Sequence, residues 1–442
     1  MSFIGRMVNS GKRATIATLG CRLNQAEARL IEDQLCAAGY VLAGADDRVD
    51  VAIVQTCVVT GEAEAKSRKL IRRLTRQHPD ATVVVIGCYA QTNAESIAAM
   101  DGVYLVLDNN AKMDLPALLA ILDPAAPTIA CQPLGSDMFT LPFLADGPPI
   151  TRRANLKIQD GCDGQCAYCY VRIARGPSRS RRFDDAVAEA AALVKREARE
   201  LVLTGVNVGS YQDDDRQIPQ LCDALDALRP KPRVRISSIE LNTIPETLLP
   251  RMADPDHALA PHLHIPLQSG SKSVLRAMGR PYAPEDYQSF ITTVANLLPD
   301  IGLGADVMVG FPGETDADFE ATCALVEQSP LTYLHVFQYS DRPQVAAAQL
   351  PDKIPAAVIK ARSKTLRALG RRKHRTFQQR WLGHDVTVLF ESKRDDFWIG
   401  HTGNYLEVGV RSDAPLSNRF ATVKIKDISG TRLLGDIVSK PA

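Results

Sequence analysis

Cys162, Cys166 and Cys169 lie in the run Gln159-Asp-Gly-Cys-Asp-Gly-Gln-Cys-Ala-Tyr-Cys-Tyr170. Thiolates at C-x3-C-x2-C spacing can hold three irons of a 4Fe-4S cube, and no nearby cysteine closes the set. One iron then keeps an open coordination position, where a substrate or cofactor can bind as it does at catalytic zinc. Structural zinc would require a second Cys or His dyad at a suitable distance, and none follows. A disulfide framework belongs to short secreted chains, whereas this chain has 442 residues. The residue types therefore point to cluster chemistry.

Three further cysteines are read against the pattern of elements that must position them. Ala14–Leu19, Val51–Thr56 and Ala81–Gly87 are apolar runs of strand length, followed by helical periodicity over Gln25–Ala38, Glu62–Gln77 and Ala94–Met100. Val103–Leu107 and Leu115–Leu122 continue the rhythm, and the prolines between Pro124 and Pro149 suggest a linker. Alternating strands and helices predict an open parallel α/β sheet. Cys21, Cys57 and Cys88 each follow one of the first three strands, on the rim where such sheets assemble their sites. They are candidate ligands of a second cluster. Cys36, Cys131, Cys222 and Cys323 have no such placement and are expected to be buried thiols.

From about Ile150 to Asp341 the rhythm repeats. Strands are expected at Ala154–Gln159, Glu200–Thr204, Arg233–Ser238, His262–Pro266, Gly302–Val309 and Tyr333–Tyr339, with helices such as Phe183–Ala198, Ile218–Leu228, Ser271–Met278 and Asp316–Gln328 between them. Six β-α units make a partial barrel with its site at the C-terminal mouth, and the Cys162–Cys169 loop leaves the first strand on that side. Asn207, Glu240 and Gln268 fall at or just past strand ends and are candidate cofactor contacts. Gly310 and Gly313 could let backbone approach a ligand closely, and Tyr168 could pack against it. His262 and His264 share one strand face and read as filling of the barrel interior. After a basic helix at about Ala356–Gln379, the stretches Asp385–Glu391, Ile399–Gly409, Phe420–Asp427 and Thr431–Ser439 alternate apolar and polar residues. They predict a small OB-like β-barrel, a shape often used to bind RNA.

The chain is 45% hydrophobic and 23% charged, ordinary for a globular protein of two or three domains. The first ten residues show no apolar leader and no apolar stretch is long enough to span a bilayer, so a cytoplasmic protein is expected. A net charge of +1 gives no global sign of nucleic acid. Local basic stripes at Lys66–Arg76, Arg175–Arg182 and Arg362–Arg380 allow a phosphate-rich partner. Arg371, Arg372, Lys373 and Arg375 are candidate phosphate contacts, and Arg175, Arg179 and Arg181 could contact substrate phosphates or a cofactor carboxylate.

With the two cysteine triads placed, the chain resembles the radical-SAM methylthiotransferases nearly end to end. Thr18-Leu-Gly-Cys-Arg-Leu-Asn24, Gln55-Thr-Cys57 and Gly87-Cys-Tyr-Ala-Gln91 resemble the motifs around the family's auxiliary-cluster cysteines. Leu203-Thr-Gly-Val-Asn207, Ser237-Ser-Ile-Glu240, His264-Ile-Pro-Leu-Gln-Ser-Gly270 and Val309-Gly-Phe-Pro-Gly-Glu-Thr315 follow in family order, and the tail is similar to a TRAM domain. The Thr-Leu-Gly-Cys, Val59-Thr60, Lys66-Ser-Arg and Gly-Cys-Tyr-Ala-Gln strings look most like the MtaB branch. Gln55 stands where the family usually has Asn, and Gln338 where proline is common.

The resemblance implies an N-terminal cluster-binding domain over residues 12–125, a radical-SAM partial barrel over 148–378 and a TRAM-like barrel over 380–442. It implies two 4Fe-4S clusters, with S-adenosylmethionine (SAM) on the cluster of Cys162, Cys166 and Cys169. It further implies methylthiolation of adenine C2 in N6-threonylcarbamoyladenosine beside the tRNA anticodon, SAM serving as radical source and methyl donor. An electron donor and a sulfur source are then required partners, and a monomer is expected. Methylthiolation of isopentenyladenosine or of a ribosomal-protein aspartate, and an iron–sulfur RNA-binding or redox-sensing protein without turnover, are the competing readings.

Overall fold

The computed structural model describes residues 11–44, 46–121 and 127–439. The N-terminal ten residues read for a leader, and the linker's start at Pro124, lie outside them. Two compact units result. The first takes the chain to Gly147 with Lys157–Gly164 and Cys169–Glu189; the second takes Pro148–Leu156, Gln165–Tyr168 and the chain from Ala190.

The first unit is an open parallel sheet. Its six strands run in the order Val41–Leu42, Arg13–Thr18, Val51–Thr56, Thr82–Gly87, Val103–Leu107, Thr128–Ala130. Every residue of Val51–Thr56 is buried, as a central strand covered by helices on both faces must be. Ile31 and Leu35 of the helix Arg22–Ala37 close one face over Ile53, Ile86 and Leu107. The two edge strands are absent from the sequence reading because two or three residues carry no periodicity. Thr128–Ala130 falls inside the stretch expected to be linker, yet it pairs Leu105 with Thr128 and extends the sheet.

The second unit carries the partial barrel. One group of strands runs Arg233–Ile236, Glu200–Thr204, Ala154–Lys157, and another runs His262–His264, Gly302–Val309, Tyr333–Gln338. Parallel bridging of Val234 to Leu259 continues the first group toward the second. The helix Ala356–Gln379 then leads to a closed five-stranded barrel in the order Asp385–Arg394, Phe397–Thr402, Glu407–Val410, Arg432–Ile437, Arg419–Ser429. Val388, Phe390, Val408, Val423 and Leu433 fill it. The expected single strand Ile399–Gly409 is in fact a hairpin. Tyr405 takes a left-handed φ of 70°, and the Thr402 hydroxyl accepts from Leu406 N at 2.9 Å, folding Trp398 back onto Val410.

Candidate iron–sulfur and cofactor sites

Within the first unit, sheet register sets the N-terminal cysteines. Thr56 pairs with Gly87, so Cys57 and Cys88 are the next residues on adjacent strands. Cys21 precedes the helix Arg22–Ala37, and Cys88 begins the helix Cys88–Ala98. Two side chains stitch these strand ends. Asn24 donates to Leu19 O at 2.7 Å and to Thr56 O at 2.9 Å. The Thr56 hydroxyl donates to Ile86 O at 2.6 Å and accepts from Tyr89 N at 3.2 Å. Cys21, Cys57 and Cys88 lie close enough that charge on one sulfur, as a thiolate, would be felt by the others.

Burial pushes the Cys57 thiol up to about 11 and raises that of Cys88, while Arg175 acts to lower both. Arg175 belongs to a buried ionic cluster. Glu27 accepts from Lys112 at 2.6 Å, from Lys157 at 2.7 Å and from Arg175 at 3.0 Å. Asp160 accepts from Lys157 at 2.7 Å, Arg175 at 3.0 Å and Arg179 at 3.3 Å. Arg175 also reaches Asn24 Oδ1 at 2.6 Å, joining the cluster to the cysteine stitching. Four cations, Lys112, Lys157, Arg175 and Arg179, thus meet two carboxylates, Glu27 and Asp160. Burial is the main influence that lowers the Lys112 ammonium to about 8; the Glu27 charge opposes it. Uncompensated buried positive charge is costly, and thiolates beside Arg175 and Lys112 would offset it. The donor set and its surroundings therefore fit an anionic thiolate-ligated cluster.

That cluster of charges corrects one sequence expectation. Arg175, Arg179 and Arg181 are 2%, 8% and 0% exposed, so they are placed for internal ion pairs instead of for substrate phosphates. Arg181 binds Asp185 at 2.5 Å and Glu189. A basic run looks the same in sequence whether its counter-ions lie in solvent or in buried partners such as Glu27. Gln55, the departure from the family's Asn, reaches the same cluster through Glu27 at 3.2 Å. Among the remaining cysteines Cys222 is buried, Cys131 and Cys323 are half-buried, and Cys36 is exposed at the end of its helix, contrary to expectation.

Cys162, Cys166 and Cys169 are each half-buried on the loop between Gln159–Asp160 and the helix Val171–Arg175. In the first unit Cys162 N donates to Gly176 O at 3.1 Å, and the Asp163 carboxylate accepts from Ser178 N at 3.0 Å. In the second unit Ala167 N donates to Met278 O at 2.9 Å, and its carbonyl accepts from Ala347 N at 2.8 Å. Arg280 points Nη1 at the Cys166 sulfur, 3.4 Å away. Its guanidinium also grips Glu240, Nη1 to Oε1 at 3.2 Å with Nη2 on Oε2, and donates to the Tyr282 hydroxyl at 3.0 Å. The Tyr168 side chain lies near enough to Arg280 to interact with it. Arg280 was missed from sequence; its only signal is its place just past a helix end, in Met278-Gly-Arg-Pro-Tyr282.

The other expected cofactor residues separate by geometry. Asn207 Oδ1 accepts from Glu240 N at 3.2 Å and from the Thr243 hydroxyl at 3.0 Å, so it holds the Glu240 turn in place. Gln268 sits at φ 66° beside Asp306, with its backbone N–H on Asp306 O at 2.8 Å. Gly310 is required by packing: a Cβ there would lie 2.4 Å from Ile359 Cγ1. Gly313 has a left-handed φ of 80° with open space where a Cβ would stand.

The basic helix Ala356–Gln379 also divides. Arg372 faces Glu327 at 3.3 Å, and Lys373 donates to Glu327 O at 2.9 Å and to Ser329 O. Arg371 and Arg375 turn to a cavity of about 630 Å³ with Arg367, His374, His335 and Tyr405.

Residues 156–326 match the radical SAM superfamily model, and residues 13–108 match that of "Uncharacterized protein family UPF0004". The chain is 33% identical over 428 residues to the threonylcarbamoyladenosine tRNA methylthiotransferase MtaB of Bacillus subtilis, covering 93% of this chain and 94% of that one. It is 35% identical over 391 residues to a tRNA-2-methylthio-N6-dimethylallyladenosine synthase of Cereibacter sphaeroides, covering 87% and 88%. In fold it is similar to the radical SAM methyltransferase TsrM of Kitasatospora setae, at TM-score 0.53 and 12% identity over 76% of this chain and 77% of that one. Matching domains and relatives over nearly the whole length place the chain in the MtaB-like family of radical-SAM methylthiotransferases.

Proposed function

We propose that this enzyme transfers a methylthio group to C2 of N6-threonylcarbamoyladenosine next to the anticodon of tRNA. The observation that carries the reading is the cysteine rim of the first unit, Cys21, Cys57 and Cys88, set by register and stitched by Asn24 and Thr56 beside buried cations. A radical enzyme that only cleaved SAM would need Cys162, Cys166 and Cys169 alone. The MtaB relatives, 33% identical in the Bacillus subtilis case, support threonylcarbamoyladenosine as the substrate.

An iron–sulfur cluster on Cys162, Cys166 and Cys169 supplies, when bound, the one-electron cleavage of SAM that an unactivated C2–H bond demands. The chain's own side chains do the positioning. Arg280 and Asn207 fix Glu240, which is the polar group offered to SAM beside Cys166; Tyr168 and Gln268 are the remaining contacts. Gly310 and Gly313 keep the Val309–Thr315 turn in shape around the nucleoside. Cys21, Cys57 and Cys88 would hold the second 4Fe-4S cluster, which would supply the position for the sulfur to be transferred. Arg371 and Arg375, on the cavity side of their helix, contact tRNA phosphates, with Arg372 and Lys373 a weaker second edge. Residues 12–125, 148–378 and 380–442 act as cluster, barrel and RNA-binding segments. The protein works as a cytoplasmic monomer with an external electron donor and sulfur source; among the described residues no helix is long and apolar enough to cross a membrane.

Nucleoside mass spectrometry tests the substrate. Reconstituted enzyme, SAM and a reductant are given tRNAs carrying either threonylcarbamoyl- or isopentenyladenosine. The expected product is 2-methylthio-N6-threonylcarbamoyladenosine alone. Methylthiolation confined to the isopentenyl substrate would overturn the assignment.

A further inference from the structure

We infer that His264, Asp306 and His335 form a binding site for a divalent transition-metal ion inside the barrel, separate from both cysteine sets. The ligand atoms come from three adjacent parallel strands, His262–His264, Gly302–Val309 and Tyr333–Gln338. Register places Asp306 opposite His335 and His264 opposite Gly304. One ligand atom from each residue lies within 4.8 Å of the other two. His264 Nε2 is 2.9 Å and His335 Nδ1 is 3.3 Å from the same oxygen, Asp306 Oδ1. Ligands held at about 2.0–2.2 Å around zinc stand roughly 3–3.5 Å from one another, so the two pairs that share Asp306 Oδ1 already stand at about that spacing.

The surroundings supply what a metal-bound histidine requires. A ligating imidazole is oriented by a hydrogen bond to its other nitrogen. His264 Nδ1 lies 3.0 Å from the Tyr333 hydroxyl, which is itself 2.9 Å from His262 Nε2. When Tyr333 donates to His262 and accepts from His264 Nδ1–H, the His264 Nε2 lone pair faces Asp306, which is the metal-binding tautomer. The Tyr333 ring occupies the place of a side chain at residue 304, where a Cβ would come within 2.1 Å of Tyr333 Cζ. Gly304 is thus the residue that lets the tyrosine reach both histidines. The His264 and His335 rings lie 4.9 Å apart between centroids, converging from the two strands that flank Gly302–Val309.

Two imidazoles and one carboxylate with no protein sulfur suit zinc, iron(II) or manganese, not a soft ion. His335 is exposed and also lines the 630 Å³ cavity, so the remaining coordination positions are open to water or to an oxygen ligand entering there. His262 and His264 alone, two residues apart on one strand, read as interior filling because Asp306 and His335 are distant in sequence.

Zinc is the probe. Anaerobically reconstituted full-length enzyme is equilibrated with zinc, freed of excess metal, and its zinc, iron and sulfide are measured per chain. Zinc-edge X-ray absorption reads the ligands. The expected result is one zinc with nitrogen and oxygen neighbours at about 2.0–2.1 Å. His335→Ala, at an exposed position, and Asp306→Asn should each weaken zinc binding at least tenfold with iron unchanged. Zinc neighbours at about 2.3 Å would show that cysteine sulfur takes the ion and would overturn the site. So would undiminished zinc in His335→Ala, or none in the wild type.

Discussion

The two cysteine triads are built in opposite ways. Cys162, Cys166 and Cys169 are neighbours in sequence, and the chain needs only to anchor one loop, through Cys162 on Gly176 and Ala167 on Met278. Cys21, Cys57 and Cys88 are brought together by three parallel strands and by Asn24 and Thr56, with Arg175 tying them to the Glu27–Asp160 ionic cluster. A local motif tolerates change in the surrounding fold; a rim assembled by register depends on it. The first should be lost chiefly through its own cysteines, whereas the second should also be exposed to mutations in groups that carry no thiol.

The largest effect should come from separating the two. Cys21→Ala/Cys57→Ala/Cys88→Ala should lower iron from about eight to about four per chain and abolish methylthio transfer, because two independent four-iron sites become one. Reductive cleavage of SAM should survive in that variant and disappear in Cys162→Ala/Cys166→Ala/Cys169→Ala. Wild-type iron near four would break the comparison at its root, leaving the N-terminal rim without a cluster.

A subtler break leaves every cysteine in place. Lys112 is fully buried between Glu27 at 2.6 Å and Asn109 at 2.7 Å. Lys112→Met keeps the volume but removes a charged donor from Glu27 and Asn109, a change worth about 1.5–3 kcal/mol, since Lys157 and Arg175 still pair Glu27. The variant should melt earlier and retain fewer N-terminal irons, while SAM cleavage persists. Unchanged iron would mean that register and stitching alone hold the rim.

This difference also explains what the sequence discloses. The Cys162 loop, the parallel sheet and the barrel strands follow from spacing and periodicity. The strand-end positions of Cys21, Cys57 and Cys88 follow as well, since strands of the first unit are long and apolar. Long-range pairing leaves no such trace: Arg175 and Glu27 are 148 residues apart. The basic run at Arg175–Arg181 therefore looked like a surface for phosphate. Arg280 is invisible for the same reason, its partners Cys166 and Glu240 being fixed by the fold.

Glu391 provides a half-buried ion pair with no cysteine attached. Its carboxylate binds Arg153 at 2.8 Å and His401 at 2.9 Å, both within the second unit. Burial would raise its pKa, but the His401 hydrogen bond and the Arg153 charge outweigh it and hold the group at about 2 against an ordinary 4.5. A depressed carboxylate stabilises the fold above its unfolded value and loses that contribution as pH falls toward the folded one. The shift corresponds to about 3 kcal/mol. Denaturant melts should show Glu391→Gln less stable than wild type at pH 7, with the gap closing between about pH 4.5 and pH 2 and iron content at pH 7 unchanged. Iron loss in this variant would mean that any such pair, not the Glu27–Asp160 cluster in particular, supports the clusters.

The smallest effect is expected on the local side. Arg280 holds both oxygens of Glu240 and points at the Cys166 sulfur, so its planar fork fixes a polar group next to a proposed cluster ligand. Lysine keeps the charge but cannot bridge Glu240, sulfur and Tyr282 at once. Arg280→Lys should leave iron at the wild-type level and raise the KM for SAM about tenfold, about 1.4 kcal/mol, with kcat nearly unchanged. Glu240→Gln, which leaves the fork without its carboxylate, should raise KM in the same way. A fall in iron instead would show that Arg280 secures the cluster loop itself. The local triad would then lean on distant residues as the N-terminal rim does, and the contrast between the two would narrow to one of sequence spacing.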